Sequence, residues 1–164
     1  QYDDWEAWIP DEDDVRYAAY TSLVHGARGI NFWNLSRSQE DAFDCATQVA
    51  QDVKEMVPFL LTEHPFAQDE IYMTSSTGNT NGLSFLVRIN PNDSTEALII
   101  VCNDSADNIV DVWIHFPGSF DVDYAEPIRN VHNWYTYVYQ LENKVEIESM
   151  DSWTGKAFIV HKEQ

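Results

Sequence analysis

Residues 15–33, VRYAAYTSLVHGARGINFW, decide how the rest of this chain is read. Val15, Ala18, Ala19 and Leu23, with Tyr20 and Val24 beside them, recur at the three-four spacing of one apolar helix face. Ahead of them stand Pro10 and Asp11, with Asp14 three residues on, a pair of carboxylates placed to cap unpaired backbone N–H groups. Gly26 follows the last apolar residue and can take the left-handed conformation that closes a helix. The spacing therefore predicts a helix over 13–25. Past a Gly-Ala-Arg-Gly turn, the short apolar run Gly29-Ile30-Asn31-Phe32-Trp33 reads as a buried strand, which makes the segment an α/β unit.

A second helix is expected over 38–61. Ala42, Cys45/Ala46, Val49, Val53, Met56/Val57 and Leu60 form its buried stripe, and Ser38 with Asp41 reads as its N-cap. Pro58 removes one backbone bond and should kink or tighten the last turn. Thr62-Glu63-His64-Pro65-Phe66 then breaks the helix, and a linker is placed at 62–69. Beyond it the period becomes two. Strands are expected at 71–75, 83–89, 97–103, 109–116, 134–141, 144–148 and 156–161, separated by turn chemistry such as Asn90-Pro91-Asn92-Asp93 and Pro117-Gly118. Seven short strands of this kind suggest an antiparallel sandwich over 70–164. Leu98, Ile100 and Cys102 alternate with Ile99, Val101 and Asn103, so this strand is expected to be central and buried on both faces. Val110, Val112, Ile114 and Phe116 are expected to face inward on its more exposed neighbour.

The segment P-x-x-x-x-V-R-x-x-A-Y-x-x-L-V-H-G-A-R-G-I-x-F-W resembles the last helix and strand of the (β/α)8 barrel in glycoside hydrolases. Val57-Pro58-Phe59-Leu60-Leu61 is similar to the phrase ending the following helix, and a β-sandwich domain comes next in those enzymes. The resemblance implies an α+β fragment: the last β/α unit of a TIM barrel over 1–61, then a stabilising sandwich. A whole barrel needs roughly 250 residues, whereas this chain has 164. The resemblance thus implies that strands one to seven lie on a missing barrel polypeptide or another chain, which would cover Ile30 and Phe32. Gln1-Tyr2-Asp3-Asp4-Trp5 reads like the loop leaving strand seven.

The resemblance also implies the chemistry. The parent would hydrolyse O-glycosidic bonds of a carbohydrate with two carboxylates, held on strands four and seven, upstream of this chain. No catalytic residue is therefore assigned here. Glu6, Asp3 and Asp4 are the nearest acids and read as solvated loop residues. Trp33, ending strand eight, is the leading substrate-binding candidate, because an indole is a rigid apolar plate that suits the C–H face of a sugar. Barrel-top core is the competing reading of the same residue. Asn34 could bond a sugar hydroxyl, and Trp5 and Trp8 lie in the incoming loop, either against ligand or anchoring that loop. A second reading of the chain is a non-catalytic carbohydrate-binding or assembly module, with function carried by the sandwich aromatics Trp113, Trp134, Tyr135, Tyr137, Tyr139 and Trp153.

Composition narrows the partners. Nine Lys and Arg stand against 28 Asp and Glu, a formal charge of −19. Clustered cations for phosphate are lacking, so neither nucleic acid nor an anionic membrane is an expected partner. The acidity fits a secreted or marine protein kept soluble by charge, or a salt-adapted one; an extracellular or periplasmic location is expected. No run of apolar residues approaches the ~20 that span a bilayer. Cys45 and Cys102 lie on apolar patterns and read as two buried thiols, with a disulfide between them left open. No metal is expected, since no C-x-x-C or H-x-x-x-H occurs, and no cofactor motif or nucleophile elbow is present. The run Asp11-Glu12-Asp13-Asp14 complements a helix N-terminus, and His25 in the last turn reads as structural. Asn34-Leu35-Ser36, Asn92-Asp93-Ser94 and Asn103-Asp104-Ser105 are glycosylation-type triplets.

Overall fold

The structure, a computed structural model, describes residues 10–32, 40–61, 70–128, 136–139 and 142–163. Helix α1 spans Glu12–Val24 and α2 spans Glu40–Leu60. Eight strands follow: β1 Tyr72–Ser75, β2 Leu83–Asn90, β3 Asp93–Asn103, β4 Ile109–His115, β5 Val122–Pro127, β6 Thr136–Tyr139, β7 Lys144–Met150 and β8 Thr154–Lys162. They form two four-stranded sheets in the orders β1-β4-β7-β6 and β2-β3-β8-β5, with every pairing antiparallel.

Both ends of α1 are closed by the chemistry its sequence supplies. Asp11 accepts from the Asp14 amide at 3.0 Å while Asp14 accepts from the Asp11 amide at 3.0 Å, a reciprocal box. At the other end Gly26 sits at φ 94, its amide bonded to the Leu23 carbonyl and that of Ala27 to the Ser22 carbonyl. Those two bonds are the paired closure that a left-handed residue after a helix makes possible. The buried face differs from the apolar spacing in one respect. Ala18 is exposed, and Arg16 is buried with Ala19, Tyr20 and Leu23. Helix α2 continues through Pro58 to Leu60.

The expected strand at 29–33 does not form: residues 29–32 have no regular secondary structure, and Trp33 lies outside the described residues. An isolated extended segment leaves its N–H and C=O groups without ladder partners, and among the described residues no strand pairs with it. Ile30 and Phe32 are half-buried instead, packed against the cluster of the two helices. The linker expected at 62–69 lies outside the described residues, as do Ser38 and positions 134, 135, 140 and 141 flanking β6.

Two apolar cores share the β2-β3-β8-β5 sheet. Between the sheets, Ala97, Ile99, Val101, Phe158 and Val160 meet Val112, Ile114, Val145 and Ile147. On the opposite face of the same sheet, Leu98, Ile100, Cys102 and Ala157 meet Ala19, Tyr20 and Leu23 of α1 and Val49, Met56 and Phe59 of α2. Residues 97–103 of β3 are all fully buried, so the expected two-faced central strand is present. On β4 the expected alternation breaks. Asp111 has φ 49 and turns the strand, so Ile109 faces the core and Val110 is exposed. Strand β5 is absent from the sequence expectation; its exposed positions Asp123, Tyr124 and Glu126 hide the alternation on an edge strand.

Close approach of α1 to the sheet depends on small residues beneath it. A Cβ at Gly155 would lie 3.1 Å from Tyr20 Cβ and Cδ2 and 3.4 Å from Cys102 Sγ. Gly155→Ala should therefore push α1 off β8 and destabilise the protein by about 1–3 kcal/mol, the usual cost of overpacking. A urea melt showing unchanged stability would mean that α1 does not rest on this strand.

Candidate functional site

Trp5, Trp8, Trp33 and Asn34, the expected sugar contacts, lie outside the described residues, as do Asp3, Asp4 and Glu6. What the structure does assemble is two polar clusters beneath the helices and one aromatic face on the far sheet.

The first cluster joins α1 to α2. Arg16 pairs with Glu12, with Asp13 at 2.7 Å and with Asp52 at 3.5 Å, and the Tyr20 hydroxyl donates to Asp52 at 3.3 Å. Arg16 and Asp52 are 3% and 2% exposed, so their contact is made out of water, where each charge has to be paired. Burial, with Asp52 alongside, pushes the Tyr20 phenol well above its ordinary range, which keeps it a donor at neutral pH. This is a positioning network for the helix pair, buried at Arg16, Asp52 and Tyr20 and open to solvent at Asp13.

The second cluster is built on Asp104, just past β3. Its Oδ1 accepts from Tyr17 at 3.0 Å and Thr21 at 2.8 Å, and its Oδ2 from Ser84 at 2.7 Å, while His25 Nε2 lies 3.7 Å away. Partial burial opposes ionisation of Asp104, but the hydroxyl bonds from Ser84, Thr21 and Tyr17, with His25 nearby, win and hold its carboxyl below the usual range. With its oxygens occupied by three hydroxyl donors, Asp104 ties α1 to β2 and β3. Cys102, beneath it, has its thiol pushed up to about 12 by burial and the Asp104 charge, so it is inert. Neither Cys102 nor Cys45 forms a disulfide.

The triplet at Asn103 is closed to modification. Asn103 is fully buried, its amide donating to the Asp107 carbonyl at 2.7 Å and to those of Met150 and Asp151 at 3.0 Å each. Asn92 is exposed in the β2–β3 hairpin, and Asn34 lies outside the described residues.

The aromatic face lies on the outer side of the β1-β4-β7-β6 sheet. With Met73, Val112, Ile114, Val145 and Ile147 turned to the core, the opposite positions form two cross-strand rows. Register aligns Tyr72, His115, Lys144 and Tyr139 in one, and Thr74, Trp113, Glu146 and Tyr137 in the other. Tyr72 and His115 stack with centroids 4.4 Å apart and planes 8° off parallel, and Thr74 Oγ1 bonds His115 Nε2 at 2.9 Å. Lys144 Nζ sits 5.0 Å over the Trp113 ring and also pairs with Glu142, a cation–π contact. Burial, helped by Lys144, lowers the His115 pKa, so the imidazole is neutral at pH 7. Tyr72 remains 52% exposed. Aromatic counting in the sequence singled out Trp113, Tyr137 and Tyr139 but missed Tyr72 and His115. The available signal was that the outward positions of β1 and β4, ordinarily polar, hold rings.

Among the described residues, no group of three or more His, Cys, Asp or Glu side chains is arranged to hold a metal ion, and no helix is long and apolar enough to cross a membrane. The chain matches no protein-family model and no curated protein.

Asp104→Asn should cost about 1–3 kcal/mol at neutral pH, because three hydroxyls then lose a charged acceptor. A carboxyl whose folded-state pKa is depressed contributes stability above its unfolded value near ~4 and loses it as pH falls through the folded value. The gap between wild type and Asp104→Asn in urea unfolding should therefore shrink between about pH 5 and pH 2. An equal gap at both ends of that range would remove the charge from the explanation.

Proposed function

We propose that this chain is the C-terminal segment of a secreted glycoside hydrolase acting on O-glycosidic bonds of carbohydrates, with its catalytic carboxylates on a preceding barrel polypeptide. In this role it contributes the sugar platform at Trp33 and a sandwich that braces the last two barrel helices. Besides the resemblance at residues 15–33 and 57–61, one structural observation supports the reading. Along one flank of α2, at seven-residue spacing, Phe43, Ala50 and Val57 are exposed, and Leu61 follows them. Phe43 is 50%, Val57 43% and Leu61 83% exposed. Large apolar groups gathered on one side of a helix mark a surface that another element covers, and a neighbouring barrel helix is the covering this reading supplies.

The chemistry follows from that division of labour. Two carboxyl groups about 5–10 Å apart are needed across the scissile bond, and this chain supplies neither. A platform at Trp33 would hold the sugar ring beside them and fix its orientation.

The gene product that contains this chain should hydrolyse at least one of a panel of aryl glycosides, and the 164-residue chain should hydrolyse none. In the complete enzyme, Trp33→Ala should lower kcat/KM about five- to tenfold through loss of roughly 1 kcal/mol of stacking, with little change in Tm. A sharp fall in Tm with unchanged activity per folded molecule would make Trp33 core. Absence of glycosidase activity in the complete protein would end the hydrolase reading.

A further inference from the structure

The outer face of the β1-β4-β7-β6 sheet is not explained by the fold or by the hydrolase reading. A sheet face turned to solvent usually carries polar residues. Here the described outward positions of β1 and β4 hold three rings, Tyr72, His115 and Trp113, beside Thr74. Cross-strand aromatic pairs do strengthen a sheet, but that does not require the rings to stay open, and Tyr72 is half-exposed at the edge. The rings are also fixed before any ligand arrives. His115 holds one face of Tyr72, and Thr74 holds His115. Lys144 holds Trp113. Rings immobilised in advance lose little freedom when something lies on them.

Charge selects the occupant. The charges described on this face are Lys144, which pairs with Glu142, and Glu146, with a neutral imidazole between Tyr72 and Lys144. The face is thus near neutral in a chain of net charge −19. An acidic partner would be repelled by the whole molecule, and a basic one would find stronger sites on the acidic surface elsewhere. A second copy of this chain brings the same −19 to the contact. A neutral polymer with flat C–H faces and many hydroxyls meets none of these penalties, and rings with interspersed polar groups suit it. Four strands at ~4.8 Å spacing give a track of roughly 14 Å, long enough for a short run of linked sugar rings.

We propose that this face binds a neutral polysaccharide, with Tyr72 and Trp113 stacking on successive sugar rings and Thr74, Lys144 and Glu146 meeting their hydroxyls. The site goes beyond the hydrolase reading and stands whether or not that reading does, since it requires no catalytic partner.

The test is affinity electrophoresis of the chain in native gels containing xylan, mixed-linkage β-glucan, galactomannan or soluble starch. At least one polymer should retard the wild type. Trp113→Ala and Tyr72→Ser should each weaken that retardation roughly tenfold. Tyr72→Ser changes only a half-exposed edge position, so it keeps the test valid if Trp113→Ala fails to fold by circular dichroism. Tyr124→Ala removes an exposed tyrosine, stacked on His161 of the other sheet, and should leave retardation unchanged. No retardation by any of the four polymers overturns the proposal. So does retardation that survives Tyr72→Ser, or a sedimenting dimer that Tyr72→Ser dissociates, which would assign the face to a second copy. Aryl-glycosidase activity plays no part in the readout, so the outcome is independent of the hydrolase proposal.

Discussion

The structure depends on one constraint: β3 is buried on both faces along residues 97–103. A strand at the solvent-facing side of a sandwich needs only one apolar side. This one carries Leu98, Ile100 and Cys102 toward the helices and Ala97, Ile99 and Val101 toward the second sheet. Fully burying an aliphatic side chain of this size contributes roughly 1.5–3 kcal/mol, so each face alone is a substantial core. Neither can be exposed without losing it. The helices are therefore a structural layer, covering a sheet that water would otherwise reach.

Polar groups then fix how the layer sits. Asn103 closes the end of β3 by donating to three carbonyls, those of Asp107, Met150 and Asp151. One residue later Asp104 gathers hydroxyls from α1 and β2. Arg16 and Asp52 then set α1 against α2. A buried ion pair is weak evidence for added stability, because desolvation offsets much of the attraction. Its effect here is on register: a helix slipped by one turn would lose both contacts that Asp52 makes with α1, to Arg16 and to Tyr20. Beneath α1, Gly155 of β8 leaves room for the Tyr20 side chain, whose hydroxyl donates to Asp52 of α2.

Much of this was legible in the residues. Asp11, Asp14 and Gly26 marked the limits of α1, and the period-two alternation of β3 marked the doubly buried strand. The misses have physical causes. Gly29–Phe32 has the composition of a buried strand, but a strand exists only by pairing, and no spacing reveals the missing neighbour. Val110 read as core because a period of two assumes a regular strand, and the turn at Asp111 breaks it. Arg16 and Asp52 belong to no apolar pattern, and burial of such a charge depends on a partner 36 residues away. The rows of Tyr72, His115 and Trp113 come from three-dimensional register between β1 and β4, so only single rings could be seen along the chain. Trp5, Trp8, Trp33 and Asn34 rest on the family resemblance.

The central claim is that helices and sandwich are held by one strand and so unfold together. Native-state hydrogen exchange of the chain, with low concentrations of urea, tests it most directly. Amides of Ala19–Leu23 in α1 should exchange through the same largest opening free energy and urea dependence as those of Leu98–Cys102 in β3, to within about 1 kcal/mol. If the α1 amides instead open several kcal/mol more easily, and independently of urea, the helices are an appendage on a self-sufficient sandwich and the account is wrong.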